Sequence, residues 1–270
     1  MNQAIFGQLN NGVTLMRADF SDHAFERHSH EGFAIGVTTY GIQRFRCKGT
    51  QYDSRPGDLV LFNPDDDHDG CRGTADGFRY TMWYVPDAFV ASCVEGNRYF
   101  SSPHAPDRQL ADAFGALSAS LTRTPAESLR AESLMRAFLG TMLARHGERP
   151  QPGAGPSTMG SATLARVKDY IRTYHARDIT VADLASVAGL SRAHLTRAFT
   201  AAYHMPPHVY LNAVRIAQAQ ALIRLGTPLA AVALECGFAD QSHLTRRFKG
   251  SVGVTPSAWQ KMQCATPFTS

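Results

Sequence analysis

"AHLTRAFTA", Ala193 to Ala201, and "SHLTRRFKG", Ser242 to Gly250, share a core, HLTRAF and then HLTRRF, 49 positions apart. Each core ends a longer pattern. In "TVADLASVAGLSRAHLTRAF", Thr180 is placed to cap a short helix whose Leu184 and Ala185 face inward. Gly189 permits a turn, and Ser191 caps a second helix whose Leu195 and Phe199, four apart, form one buried stripe. The second copy, "TPLAAVALECGFADQSHLTRRF", repeats each part: Val232 and Ala233 inside, Gly237 at the turn, Asp240 as cap, Leu244 and Phe248 buried. Its turn is one residue longer, because the offset is 48 up to Phe238 and 49 from Asp240 onward. The pattern predicts a helix-turn-helix written twice.

Turning Leu195 and Phe199 inward leaves Arg192, Ala193, Thr196 and Arg197 on the opposite face of the first capped helix; the matching residues of the second are Gln241, Ser242, Thr245 and Arg246. These residue types suit base edges. Arginine pairs bidentately with guanine, glutamine with adenine, Ser and Thr with either, and Ala or a Thr methyl packs on the thymine methyl. Arg247 and Lys249 suit phosphate contacts, which fix position and carry no sequence information. His194 and His243 flank the stripe and suit packing or phosphate contact more than base readout. The copies are joined by "PPHVYLNAVRIAQAQALIRLG", whose Val214, Ala217, Ala221, Leu222 and Leu225 predict one long helix ending at Gly226. A helix of about 20 residues spans roughly 30 Å, near the roughly 34 Å between successive major-groove faces.

Charge points the same way. From Gly160 onward the chain has 12 Lys/Arg against 5 Asp/Glu, a net of +7, whereas the residues before it hold 15 against 18, a net of −3. Only the C-terminal part suits a polyanion. At 270 residues, 44% hydrophobic and 19% charged, the chain is long enough for two domains. No apolar run reaches the roughly 18 residues of a membrane span, and the first twenty residues lack the marks of a secretory signal, so the expected compartment is the cytoplasm. The five cysteines, Cys47, Cys71, Cys93, Cys236 and Cys264, are scattered and never spaced C-x-x-C, which predicts reduced thiols.

The parts meet at "HGERPQPGAGPSTMGS", His146 to Ser161, where three Pro and four Gly among polar residues predict a flexible linker over 149–161. Before it, Leu110, Phe114, Leu117 and Leu121 mark one amphipathic helix; Leu134, Phe138, Leu139, Met142 and Leu143 mark another, opened by a capping box at Thr124, Pro125 and Glu127.

Across Thr163 to Gln263 the sequence resembles the AraC/XylS transcriptional regulators. The most specific stretch is "RIAQAQALIRLGTPLAAVALECGFADQSHLTRRFKGSVGVTPSAW", with its GF turn, L-x-R-x-F helix and P-x-x-W end; "MPPHVY" matches that ending after the first copy. The resemblance implies two helix-turn-helix units bridged by a long helix, binding promoter DNA as a gene regulator, usually an activator. It implies the same base-side residues already named. Ala193 is smaller than the residue relatives often carry there, so the first helix is expected to read fewer bases.

In "ERHSHEGFAIGVTTYGIQRFRCKGTQYDSRPGDLVLFNPDDDHDG", strand-like runs alternate with Gly, Pro and Asp turns, as in a small antiparallel barrel or sandwich. The pattern resembles the cupin-type sensor domain at the front of many AraC-family proteins, and the paired helices would then be that family's dimerisation element. His28 and His30 are expected on one face of a strand with His68 approaching them, the arrangement a metal cupin uses. The glutamate such sites add is replaced by Ala34 and Ile35, Glu31 points to the other face, and Asp65, Asp66, Asp67 and Asp69 read as an exposed turn. An organic-ligand pocket is therefore preferred to a metal, with a purely structural role for these histidines as the third reading, and no cofactor is expected. Its candidate lining is His28, His30, Arg44, His68, Arg79, Trp83 and Tyr84, although the inward phase along "FRYTMWYV" is open and Trp83 and Tyr84 read equally well as core.

The expectation is a two-domain chain. A cupin-like all-β sensing barrel covers 1–105, a helical dimerisation element 106–148, a linker 149–161, and an all-α tandem helix-turn-helix domain 162–264. Its expected role is that of a sequence-specific transcription regulator, not an enzyme. Its expected partners are double-stranded promoter DNA, a small-molecule effector, a second copy of itself and RNA polymerase, with no membrane. The competing readings are a cupin metalloenzyme fused to a DNA-binding domain, and a constitutive regulator with a purely dimerising barrel.

Overall fold

The computed structural model describes residues 2–9, 11–94, 96, 99–123, 128–149 and 158–264. Strands come first: β1 (Gln3–Gln8), β2 (Thr14–Phe20), β3 (Phe25–His28), β4 (Phe33–Gly41), β5 (Gln43–Cys47), β6 (Thr50–Ser54), β7 (Leu59–Phe62), β8 (His68–Arg72) and β9 (Phe78–Val85). Then follow α1 (Asp87–Ala91), the short strands β10 (Tyr99–Phe100) and β11 (His104–Ala105), the helices α2 (Arg108–Arg123) and α3 (Ser128–His146), and β12 (Gly147–Glu148). One sheet has the order β1-β2-β9-β4-β7-β11 and the other β3-β8-β5-β6, with β10 paired to β12. Neighbouring strands run antiparallel.

The two faces of the larger sheet have different partners. Phe6, Met16, Ala34, Phe62 and Met82 join Phe45 and Cys47 of the smaller sheet in one core, while Leu15, Ile35, Leu61 and Trp83 pack with Phe114, Phe138, Leu139 and Met142 of α2 and α3. Both faces are therefore dry, which removes the polar alternation that would have fixed the phase of β9. Of the stripe expected on α2, Leu110, Phe114 and Leu121 are buried and Leu117 is half-buried, but on α3 Met135 is buried where Leu134 was expected, and Leu134 is exposed. The capping box at Thr124, Pro125 and Glu127 lies outside the described residues.

The second unit runs α4 (Thr158–Tyr174), α5 (Val181–Ala188), α6 (Arg192–Tyr203), α7 (Pro207–Arg224), α8 (Leu229–Glu235), α9 (Gln241–Val252) and α10 (Pro256–Cys264). Helix α4 starts at Thr158, inside the segment read as linker; residues 150–157 of that segment lie outside the described ones. The caps form as the sequence requires. The Thr180 hydroxyl accepts from Asp183 N at 3.2 Å and the Asp183 carboxylate accepts from Thr180 N at 2.8 Å; Ser191 accepts from His194 N and Asp240 from His243 N. Gly237, at φ 78°, sits where an added Cβ would meet the carbonyl oxygens of His175 and Ala176 at 2.8 Å. Only glycine fits that turn.

Leu195, Phe199, Leu244 and Phe248 are fully buried, each contributing roughly 1.5–3 kcal/mol of burial. Helix α7 departs from its expected stripe. Val214 is buried, Ala217 and Leu222 are half-buried, and Ala221 and Leu225 are exposed, whereas Tyr210, Leu211, Ala213, Ile216, Ala219 and Ile223 go inside. Its buried residues divide between the core of the first reader and a core shared by the second reader and the barrel, so a single-stripe reading could not hold.

The barrel and the helical unit are joined. Ile216, Ile223, Leu244, Phe248 and Trp259 belong to the same core as the barrel interior, and the Phe6 and Trp259 rings meet edge to face at 6.3 Å. Around this contact, Lys168 Nζ reaches Asp65 at 2.7 Å, Arg172 reaches the same carboxylate at 3.2 Å, and Arg27 donates to both Asp67 and the carbonyl of His204.

Candidate functional site

Two helix faces and one cavity carry the chemistry. On α6, Arg192, Ala193 and Arg197 are exposed and Thr196 is half-buried; on α9, Gln241, Ser242 and Arg246 are exposed and Thr245 is half-buried. Thr196 and Thr245 each donate to the carbonyl four residues back, at 2.9 and 2.8 Å, which leaves their oxygens outward as acceptors. Lys249 is exposed, but Arg247 is half-buried and donates to Glu26 of β3 at 3.0 Å. His194 is exposed, while His243 packs edge to face on Phe238 at 5.3 Å.

A cavity of about 380 Å³ opens where β3 and β9 face α7 and α10. His28, His30 and Tyr84 line its barrel side; Ile216, Gln220, Arg224 and Trp259 line its helical side. That volume lies in the range of small-ligand sites, roughly 300–1,000 Å³. The Arg224 guanidinium lies 5.2 Å over the Trp259 ring, and no carboxylate among the described residues pairs with it. It is a cation open to an anionic ligand.

At the barrel side three imidazoles meet. His28 and His68 are direct cross-strand partners, and β3 ends at His28, so His30 comes from the loop after the strand and not from the strand face expected. The His30 carbonyl accepts from Asp65 N at 2.8 Å, which holds that loop against the turn before β8. The ring centroids lie 4.3 Å apart for His28 and His68 and 5.0 Å for the other two pairs. Burial holds His28 down to about 4 and His30 and His68 well below the usual histidine value, so all three are neutral at pH 7.

Family comparison follows this division. The description "AraC-like ligand binding domain" matches residues 10–139 and "Helix-turn-helix domain" matches residues 184–262, together most of the chain. The chain belongs to the AraC family of transcriptional regulators. The HTH-type transcriptional regulator YbfI of Bacillus subtilis is 29% identical over 229 residues, covering 82% of this chain and 81% of that protein. The arabinose operon regulatory protein of Escherichia coli is 24% identical over 240 residues, 85% of this chain and 80% of that one. An apo variant of ToxT from Vibrio cholerae has the same two-unit fold, with a TM-score of 0.65 at 14% identity over 95% of this chain and 100% of that one. This chain is thus a regulator with a ligand-binding domain and a helix-turn-helix DNA-binding domain.

Within this AraC-family chain the expected ligand residues separate. His28, His30 and Tyr84 line the cavity and His68 joins the imidazole cluster beside it. Half-buried Arg44 pairs with Asp53 at 2.6 Å and exposed Arg79 with Asp19 at 2.8 Å, and neither arginine lines the cavity. Trp83 faces the opposite side of the sheet, where its Nε1 donates to Ser118 at 2.9 Å and its ring meets Phe114 at 4.5 Å. The aspartate run is no exposed turn either. Asp66 and Asp67 are buried and paired with Lys48 and Arg27, and Asp65 takes Lys168.

The helical wall of the cavity, Gln220, Arg224 and Trp259, was missed from sequence. An arginine near the end of a long helix carries no local signal that a barrel will close over it.

Proposed function

We propose that this chain is an effector-responsive activator that reads promoter DNA with α6 and α9 and takes an organic acid with an apolar body in the cavity between barrel and helices. The observation that carries the reading is the shared wall: the cavity has barrel residues on one side and helices of the DNA-binding unit on the other. A ligand filling it has differential affinity for arrangements that open or close that wall, and so shifts the population of reader positions. Arg224 supplies the cation for a carboxylate, and Phe6, Ile216 and Trp259 supply apolar surface. ToxT structures hold an unsaturated fatty acid and a methylnaphthyl butenoic acid, both carboxylic acids with apolar bodies.

On this reading Arg192, Ala193, Thr196 and Arg197, with Gln241, Ser242, Thr245 and Arg246, face bases, and Arg247 and Lys249 face phosphates. The sensing barrel is assigned to 1–105, the dimerisation helices to 106–148 and the DNA-binding unit to 162–264. Exposed Leu129 and Leu134 on α3 support a second copy as partner. RNA polymerase is the further partner that activation requires. A DNA-binding role supports the cytoplasm as its compartment. No helix among the described residues is long and apolar enough to cross a membrane.

The test is thermal unfolding of the full chain against carboxylic acids and the matching alcohols. Stabilisation by acids alone, lost in Arg224→Gln, is the expected result. Equal stabilisation by acid and alcohol, or an unaffected Arg224→Gln, removes the carboxylate assignment.

A further inference from the structure

We infer that His28, His30 and His68 form a binding site for one divalent transition-metal ion of the zinc class, with its open coordination position facing the cavity between the two units. One ligand nitrogen from each of the three side chains lies within 4.8 Å of the others. An ion held at about 2.1 Å by tetrahedral imidazole ligands brings their nitrogens to about 3.4 Å. Small side-chain rotations close that difference.

The surroundings are those of a ligating set. His28 Nδ1 meets the carbonyl of Glu26 at 2.7 Å and His68 Nδ1 meets the carbonyl of Asp66 at 2.9 Å. A carbonyl only accepts, so in both rings Nδ1 carries the proton and Nε2 carries the lone pair. This is the outer-shell bond that fixes the tautomer and orientation of metal-bound imidazoles. Both rings are then held in place, His28 as the cross-strand partner of His68 and His68 by stacking on Phe62 at 3.7 Å and 13°. His30 closes the triangle with the Tyr84 ring edge-on at 4.9 Å.

Donor chemistry selects the ion. Three neutral imidazoles suit zinc, cobalt, nickel or copper and suit magnesium or calcium poorly, since those need oxygen ligands. The nearby carboxylates already have partners: Glu26 holds Arg247 and Asp66 holds Lys48. The bound ion would therefore keep its double charge, and a water, hydroxide or anion from the cavity completes its shell. This inference stands apart from the effector reading, because the ion alone is the probe.

The experiment is cobalt(II) titration of chelator-treated full-length protein, followed by visible absorption, with zinc competition. One equivalent with tetrahedral d–d bands, displaced by zinc, is expected. His30→Gln should weaken binding by at least about 100-fold, more than the roughly 10–100-fold cost of losing an outer-shell partner. His104→Gln, which removes a histidine paired with Asp58 elsewhere in the barrel, should bind as the parent does. Thermal melts of both variants confirm folding. No saturable cobalt binding by the parent, or equal binding by the His30→Gln protein, overturns the assignment whatever acids do to stability.

Discussion

Arg247 of α9 donates to Glu26 of β3 at 3.0 Å, so an arginine that the sequence suits to a DNA phosphate is gripped by the barrel instead. The contact is close all along this edge. An added Cβ at Gly250 would lie 2.7 Å from the Glu26 side chain, and one at Gly253 would lie 2.7 Å from the Phe20 ring. The second reader is therefore positioned by the sensor through both charge and shape.

Releasing that grip should strengthen DNA binding. Glu26→Gln frees Arg247 without changing the size of the side chain it touched. Anisotropy titrations across salt concentrations should show tighter binding to any duplex and a log K against log salt slope steeper by about 1. An unchanged slope would show that Arg247 does not reach phosphate.

Arg246 and Lys249 are both exposed on α9, and the proposed reading gives them different ends. Arg246→Ala should cost roughly 1–3 kcal/mol on the preferred site and relax specificity at one position, because a bidentate base contact is lost. Lys249→Ala should weaken specific and random DNA about equally. Equal losses on both duplexes for Arg246→Ala would reassign it to the backbone.

The readers were legible because their signals are local. Thr180, Gly189, Ser191 and Asp240 act within three or four residues of themselves, and the repeat offset checks each reading against the other. The sensor was less so. The phase of β9 was hidden because Trp83 meets helices on one face while Met82 and Tyr84 face the barrel interior on the other. The aspartate run looked solvated because its partners, Arg27, Lys48 and Lys168, are distant in sequence. Arg224 gained its place only from the packing of one unit on the other.

Trp83 tests that division of faces. Trp83→Phe removes the hydrogen bond to Ser118 and leaves volume unfilled between β9 and α2, a loss of roughly 1–3 kcal/mol. Denaturant unfolding should show it, while the stabilisation given by a bound acid stays as in the parent. A loss of ligand response without a loss of stability would return Trp83 to the cavity.

Asp107 makes the helical pair sensitive to acid. Its carboxylate caps α2 by accepting from Leu110 N at 3.1 Å, and it also takes Arg145 at 2.9 Å and His146 at 2.8 Å from the end of α3. Burial alone would raise its pKa, but these donors outweigh that and hold it at about 2. A carboxyl lowered on folding contributes fully above its unfolded value of 3.8 and loses the contribution as pH falls from there towards about 2. Asp107→Asn should therefore destabilise the chain at neutral pH, by about 1 kcal/mol for the cap alone, and flatten the stability curve through that acid window. A variant whose unfolding midpoint falls with pH as steeply as the parent's would show that Asp107 is not the group that titrates there.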